Sequence, residues 1–468
     1  MCWVYAPLVG VAVAVVVHFA TRRGPRAAAL LGWLGRRAVA PSSCCPEGGA
    51  DAALTRRFLQ NLASMRDHRH LRALLQPERR RSTRRWMAGV ARVVVLQELR
   101  HGLLSWVRGK TGAPAVILAD AQIAVAPDCE LSCAGCYALP GHGGVEPTRA
   151  SVLRAVDEAA ALGATAIHLI GKGEPLAPRS RGLAVARAIA ARPHLFFTVA
   201  TSSVGVDEDV VRALAAAGNV FVFVSVDGTP EAHAERRGEG SFEAVRALMG
   251  RLRARGVPFG FSTMVSRAAI PTLADPELIG ALAREGCVLG VYVRYFPLAP
   301  GRAPALLMRR SDVGEWQAAL ERLRGVAPIP LVDLDELEEE SGCRSRLGRT
   351  LYIDAVRGEV TPCLRVPFAA TGTPRLGEAP LEAIVRHPFF EAYRARADER
   401  CNSCGVDLER ELGDVEADLG GAGCASPALE AYRARAGLGG DPGTSGGEGA
   451  RRRSLPQLPV SRPDPPRA

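Results

Sequence analysis

Between residues 120 and 295, short β-branched runs alternate with amphipathic stretches rich in Ala, Leu and Arg. This alternation limits the fold more than any other feature. The runs lie at 122–126, 166–170, 196–200, 220–226, 259–265 and 289–295; the stretches at 149–162, 182–191, 208–217, 242–255 and 276–285 predict helices. The runs are continuously apolar rather than alternating, as expected of parallel strands covered on both faces. Right-handed βα succession then gives an open or partial α/β barrel, of the partial (β/α)6 TIM-like kind. In that architecture reactive groups collect at the C-terminal strand ends. Apolar residues make up 47% of the 468 but aromatic ones only 5%, so the core must be chiefly aliphatic.

The first run leads into APDCELSCAGCYA, which places Cys129, Cys133 and Cys136 in C-x3-C-x2-C spacing at a strand end. Three thiolates on one short loop suit three irons of a 4Fe–4S cube and leave the fourth iron open to a small ligand. Soft thiolates select iron–sulfur or zinc. Zinc stays open as the alternative, with His142 as a fourth ligand. The chain has 12 cysteines, mostly in tight clusters, which favours metal ligands in a reducing cytosol over disulfides. Cys2, Cys44, Cys45 and Cys287 stand outside the clusters, and Cys287 reads as a small core residue.

The triplet resembles the signature of the radical S-adenosylmethionine (SAM) superfamily, over about residues 120–305 with further similarity to 424. The resemblance implies that Cys129, Cys133 and Cys136 hold a 4Fe–4S cluster whose open iron is chelated by SAM. One electron from the reduced cluster then breaks a carbon–sulfur bond of SAM, and the resulting 5′-deoxyadenosyl radical abstracts a substrate hydrogen. The electron would come from a donor such as flavodoxin or ferredoxin. The family often has an aromatic residue just before the third cysteine, where this chain has Gly135, with Tyr137 following and expected near the cofactor. Gly171-Lys172-Gly173-Glu174-Pro175 is similar to the family's GGEP motif with Lys172 between the glycines, which implies that the Glu174 region meets the SAM ammonium. Thr201-Ser202-Ser203 loosely resembles its Thr-Asn-Gly turn. At Ser225-Val226-Asp227-Gly228 the resemblance implies contacts to ribose and methionine, although Asp227-Gly228 also reads as a plain turn. Arg267 would pair with the cofactor carboxylate. Arg294 and Tyr295 end the sixth run, and Pro300–Ala303 resembles a segment common before a second cluster domain.

Five cysteines follow residue 340. Cys343, Cys363 and a β-hairpin at 351–354 and 359–361, turning at Arg357-Gly358, resemble the opening of SPASM or twitch extensions. With Cys401 and Cys404 they would close one auxiliary 4Fe–4S cluster, and Cys424 is a further candidate. A full SPASM extension carries more cysteines than this chain has, so a single auxiliary cluster fits better; a structural zinc site is the alternative.

Residues 1–110 hold 19 Arg and Lys against 5 Asp and Glu, so the net +10 belongs to the N-terminal arm and the remainder is slightly acidic. Residues 2–20 carry no formal charge, and Arg22, Arg23, Arg26, Arg36 and Arg37 follow. That reads as an N-terminal membrane-anchor helix with the catalytic body on the cytoplasmic face of the inner or plasma membrane. A signal peptide or buried helix is the alternative. Nucleic-acid binding is not expected, because the basic arm lacks interleaved aromatics. The expected organisation is an anchor (1–21), a basic arm (22–114), the radical SAM core (115–305), connecting helices (306–342), a cysteine-rich auxiliary domain (343–436) and a disordered Gly/Pro/Arg tail (437–468). The substrate is left open between lipid, peptide and small molecule, and a non-catalytic membrane-held iron–sulfur or zinc electron carrier is the competing reading.

Overall fold

The structure, a computed structural model, describes residues 118–136, 146–296, 310–336, 343–365 and 372–395, with isolated positions between them. The anchor segment, the basic arm and the tail lie outside these residues. Among the described residues no helix is long and apolar enough to cross a membrane.

Among the described residues, nine strands form one sheet: β1 (Asp120–Ala124), β2 (Ala166–Ile170), β3 (Phe196–Thr201), β4 (Val220–Ser225), β5 (Phe259–Val265), β6 (Gly290–Arg294), β7 (Leu331–Asp333), β8 (Tyr352–Asp354) and β9 (Glu359–Thr361). Their order is β7-β6-β5-β4-β3-β2-β1-β8-β9. Every pair is parallel except the hairpin β8–β9. Covering helices follow in sequence: α1 (Arg149–Ala161), α2 (Arg179–Ala190), α3 (Glu208–Ala217), α4 (Pro230–Arg237), α5 (Ser241–Arg255), α6 (Ile270–Leu273), α7 (Pro276–Glu285), α8 (Arg310–Val326), α9 (Leu381–Ile384) and α10 (Pro388–Ala395).

Local chemistry sets the helix ends. Thr148 accepts from Ser151 N–H at the start of α1, and Asp207 and Asp275 cap α3 and α7 in the same way. Thr229 caps α4, with Pro230 in its first turn. Ile123, Ile167, Phe197, Val222 and Phe261 from the strands pack against Val156, Val185, Val211 and Leu248 from the helices, all essentially buried.

The six βα strands and their parallel order match the sequence expectation, but the sheet is larger than a (β/α)6 unit. β7 adds a strand within the segment expected to hold only connecting helices. The C-terminal hairpin is continuous with the core sheet rather than separate from it, because β8 pairs with β1 from Gln122–Tyr352 to Ala124–Asp354. The two outer ends of the sheet also meet. Arg365, just past β9, reaches Asp335, just past β7, at 2.5 Å, and its guanidinium lies 4.7 Å from the Phe296 ring centroid.

The segment beginning at Cys343 is fastened under β1. Asp120, 4% exposed, accepts from Thr350 Oγ1 at 2.6 Å and pairs with Arg344. Burial pushes the Asp120 carboxyl up, but Arg344, His168 and Thr350 together hold it well below the usual carboxylate range. A carboxyl depressed in this way contributes stability above its unfolded value, about 3.9, and loses it as the pH falls toward the folded one. Arg344→Leu leaves the carboxylate buried without its main partner, so we expect a loss of about 3–5 kcal/mol at pH 7 in urea unfolding. That deficit shrinks as the pH approaches 4, because the lone carboxyl then protonates; a pH-independent deficit contradicts the assignment.

Candidate active site

The cysteine loop follows β1, with Cys129 exposed and Cys133 and Cys136 half-buried. Its first residues press against the turn after β2. A Cβ on Gly173 would lie 1.6 Å from the Asp128 carbonyl oxygen, and one on Gly171 would lie 1.8 Å from that of Gly173. Both positions therefore need glycine for close backbone approach. The Glu174 N–H donates to the Asp128 carbonyl at 2.9 Å, which ties the turn to the residue before Cys129.

Arg181 locks this contact. Its side chain is 3% exposed, and it donates to the Glu174 carbonyl at 3.0 Å, the Ala177 carbonyl at 2.6 Å and Asp128 Oδ1 at 2.5 Å. Its Nε donates to Glu146 Oε2 at 2.9 Å. Sequence reasoning missed Arg181 because the helix was expected to begin at residue 182. The neighbouring Gly182 was a signal: a Cβ there would lie 2.4 Å from the Leu176 carbonyl, so α2 packs hard against the turn.

The Glu174 region is expected near the cofactor ammonium, and the Glu174 carboxylate itself is held by protein donors. Oε1 accepts from Leu176 N–H at 2.9 Å and Thr201 Oγ1 at 2.7 Å; Oε2 accepts from Ser202 N–H and Ser202 Oγ, each at 2.6 Å. Burial pushes its carboxyl pKa up, and the four donors oppose that shift. Glu174 and Thr201 thus lock the end of β3 to the β2 turn.

Asp227 is similarly committed. Its carboxylate pairs with Arg236 and Arg237 and accepts from Met264 N–H at 3.3 Å. Burial raises its pKa, but the two guanidiniums outweigh burial and hold it well below the carboxylate range. The same element supports the cysteines, because the Arg236 carbonyl accepts from Ala134 N–H at 3.1 Å. Neither arginine was singled out in the sequence, where α4 itself was not expected.

The other expected contacts divide. Ser225 ends β4 beside Ser262 of β5, partly exposed at the strand's C-terminal edge. Arg267 lies just after β5, 3.7 Å from Asp312. Arg294 is buried, with its N–H on Asp335 Oδ2 at 2.6 Å and its guanidinium 3.8 Å from Asp333. Tyr137 lies outside the described residues. Gly135, at φ +67°, could not carry an aromatic side chain without displacement, since a Cβ there would lie 2.8 Å from the Tyr295 ring. The Tyr295 ring packs directly beside Gly135.

Lys172 leaves the glycine turn for the C-terminal hairpin, pairing with Asp354 at 2.9 Å, 6.0 Å from the Tyr352 ring centroid. Of the second cysteine set, Cys343 and Cys363 are half-buried, and Ser345 Oγ donates to the Pro362 carbonyl, which fastens their segments together. Cys401, Cys404 and Cys424 lie outside the described residues.

A cavity of about 250 Å³ opens beside the triplet, lined by Cys129, Glu130, Leu131, Glu174, Ser202 and Val204. Although Cys129 as a whole is exposed, partial desolvation pushes its thiol up to about 11, and burial raises Cys133 against the pull of Arg237 and Arg236. Soft metal ions bind the thiolate form, so loading a metal here would release the thiol protons. Among the described residues no three His, Cys, Asp or Glu side chains close on one metal ion. A cube asks instead for one thiolate per iron, and Cys129, Cys133 and Cys136 lie near enough to interact with one another through charge, as three ligands of one cube would.

Glu174→Gln tests the lock on β3. Whichever way the amide turns, an NH2 group faces N–H and O–H donors, so at least one bond is lost and a buried polar group is left unmatched. We expect a loss of about 1–3 kcal/mol in urea unfolding; an unchanged midpoint contradicts the lock.

Comparison with known proteins agrees with this geometry. The family model for the Radical SAM superfamily matches residues 123–287. A "PqqA peptide cyclase" of Ruegeria pomeroyi is 31% identical over 339 residues, covering 68% of this chain and 84% of the relative. Another of Gluconobacter oxydans is 29% identical over 286 residues, covering 58% and 76% respectively. The crystal structure of Streptococcus suis SuiB bound to S-adenosylmethionine superposes with a TM-score of 0.52 at 14% identity, over 68% of this chain and 74% of that one, a likeness of fold. The chain belongs to the radical SAM superfamily of enzymes, which work with a 4Fe–4S cluster and S-adenosylmethionine.

Proposed function

We propose that this radical SAM enzyme acts on a peptide, with Cys129, Cys133 and Cys136 as the ligands of the SAM-binding cluster. The observation that carries the ligand assignment is the clamp of Asp128 by Gly173, Glu174 and Arg181, which fixes the cysteine loop against the glycine turn. The peptide reading is supported by the relatives named as peptide cyclases. When bound, the cluster and SAM supply a 5′-deoxyadenosyl radical that takes a hydrogen atom from the substrate.

The chain's own residues supply position and shielding. Gly173 lets the turn come close to the cysteine loop, Gly171 lets the turn fold tightly on itself, and Glu174 and Thr201 hold the β3 end beside it. Tyr295 covers the loop at Gly135. Ser225 and Arg267, with Tyr137, are our candidates for contacts to SAM, placed by their strand-end positions and the family resemblance. Cys343, Cys363, Cys401 and Cys404, with Cys424 as a further candidate, are assigned to one auxiliary 4Fe–4S cluster, and a one-electron donor of the flavodoxin or ferredoxin class would feed electrons in. The uncharged segment 2–20 and the arginines after it support, on sequence alone, attachment to the cytoplasmic face of a membrane. The full chain should then remain in the membrane pellet after an alkaline carbonate wash. Its appearance in the supernatant would remove the attachment and leave the enzyme reading intact.

The full chain, loaded anaerobically with iron and sulfide and given SAM and a strong reductant, is expected to release 5′-deoxyadenosine, and Cys133→Ala should bring this to background. With a perdeuterated peptide pool present, deuterium should appear in the 5′-deoxyadenosine. Deuterium transfer from perdeuterated lipid vesicles but not from peptides would overturn the peptide reading.

A further inference from the structure

The resemblance and the relatives leave Asp227, Arg236 and Arg237 without an assigned joint role. Asp227 stands just past the end of β4, and the two arginines form the last turn of α4. Both guanidiniums fall on the same oxygen, Asp227 Oδ2. The side chains are nearly closed off from water, 15%, 14% and 3% exposed for Arg236, Arg237 and Asp227. One carboxylate thus balances two guanidiniums and leaves one positive charge in surplus. That surplus lies beside the cysteine loop, because the Arg236 carbonyl holds Ala134 N–H at 3.1 Å, between Cys133 and Cys136.

The electrostatics connect the same groups. The Arg237 and Arg236 guanidiniums lie close enough to Cys133 to interact with it through charge. Charges buried this way are poorly screened by salt or water.

We propose that the charge balance of Asp227, Arg236 and Arg237 sets the reduction potential of the cluster held by the cysteine loop. One electron from a one-electron donor adds one negative charge to the cluster, and nearby charge is among the factors that set such potentials. A positive surplus favours the reduced form, so the knot makes reduction easier than a neutral surrounding would. This rests on the assignment of Cys129, Cys133 and Cys136 as ligands.

The test is the midpoint potential of the loaded full chain, followed by electron paramagnetic resonance. The signal that changes on adding SAM identifies the cluster. Arg237→Gln should make reduction at least about tenfold less favourable, a fall of about 59 mV for one electron. Asp227→Asn should raise the potential by a similar amount, and the double variant should return close to the parent. Arg237→Lys keeps the charge and should leave the potential unchanged.

A knot that only holds the loop in shape would move both single variants in the same direction, or neither, and either result overturns the proposal. If Arg237→Gln does not take up iron, Arg236→Gln replaces it, since Arg236 holds Ala134 by its backbone. Cys133→Ala separates the two claims. If it keeps the SAM-responsive signal, the ligand assignment is wrong; if it loses that signal while the charge variants fail to diverge, only the charge proposal is wrong.

Discussion

The site depends on one buried guanidinium. Arg181 gathers a carboxylate from each side of the cysteine loop, Asp128 and Glu146, and two carbonyls from the glycine turn, Glu174 and Ala177. A guanidinium removed from water must be paired and hydrogen-bonded or it is strongly destabilising. Arg181 therefore imposes a geometry as well as permitting one: its donors point along fixed directions, and the loop and turn must stand where those donors reach. Without this knot, the residue before Cys129 would lose its side-chain clamp and keep the backbone bond from the Glu174 N–H.

From that knot, contacts run outward in three directions. Glu174 carries it to β3 through Thr201 and Ser202. Lys172, which separates the glycines, carries it to β8 through Asp354, whose Oδ1 also caps the hairpin turn at Val356 and Arg357. Arg236 supports the far half of the loop from α4. The C-terminal hairpin is thereby part of the scaffold of the first cysteine site. Arg365, reaching across to Asp335, closes the sheet on the other side.

Much of the fold was legible because its signals are periodic. Continuous apolar runs gave the six barrel strands to within two residues, since burial on both faces leaves no other composition. The strand at Leu331–Asp333 carried too short a signal, three residues after a proline. Nothing local said that the hairpin would join β1, because sheet pairing is decided by partners distant in sequence. The cysteines and glycines of the site were legible, since their chemistry demands those residue types. Arg181, Arg236 and Arg237 were not, because an arginine on a helix looks the same whether it faces water or a buried carboxylate. Glu174 and Asp227 were found, but as ligand contacts; only their donors in three dimensions show that both carboxylates are already engaged.

The clamp that holds the cysteine loop against the glycine turn is made of protein groups: the Asp128 carbonyl and carboxylate, the Glu174 N–H and the Arg181 guanidinium. Amide hydrogen exchange on the iron-free chain tests it most directly, read at Glu174, whose N–H is given to the Asp128 carbonyl at 2.9 Å. The account predicts that this amide is protected without iron, about as strongly as after the cluster is loaded. Free exchange at Glu174 until iron is added would contradict it, and would make the cluster the organiser of the loop.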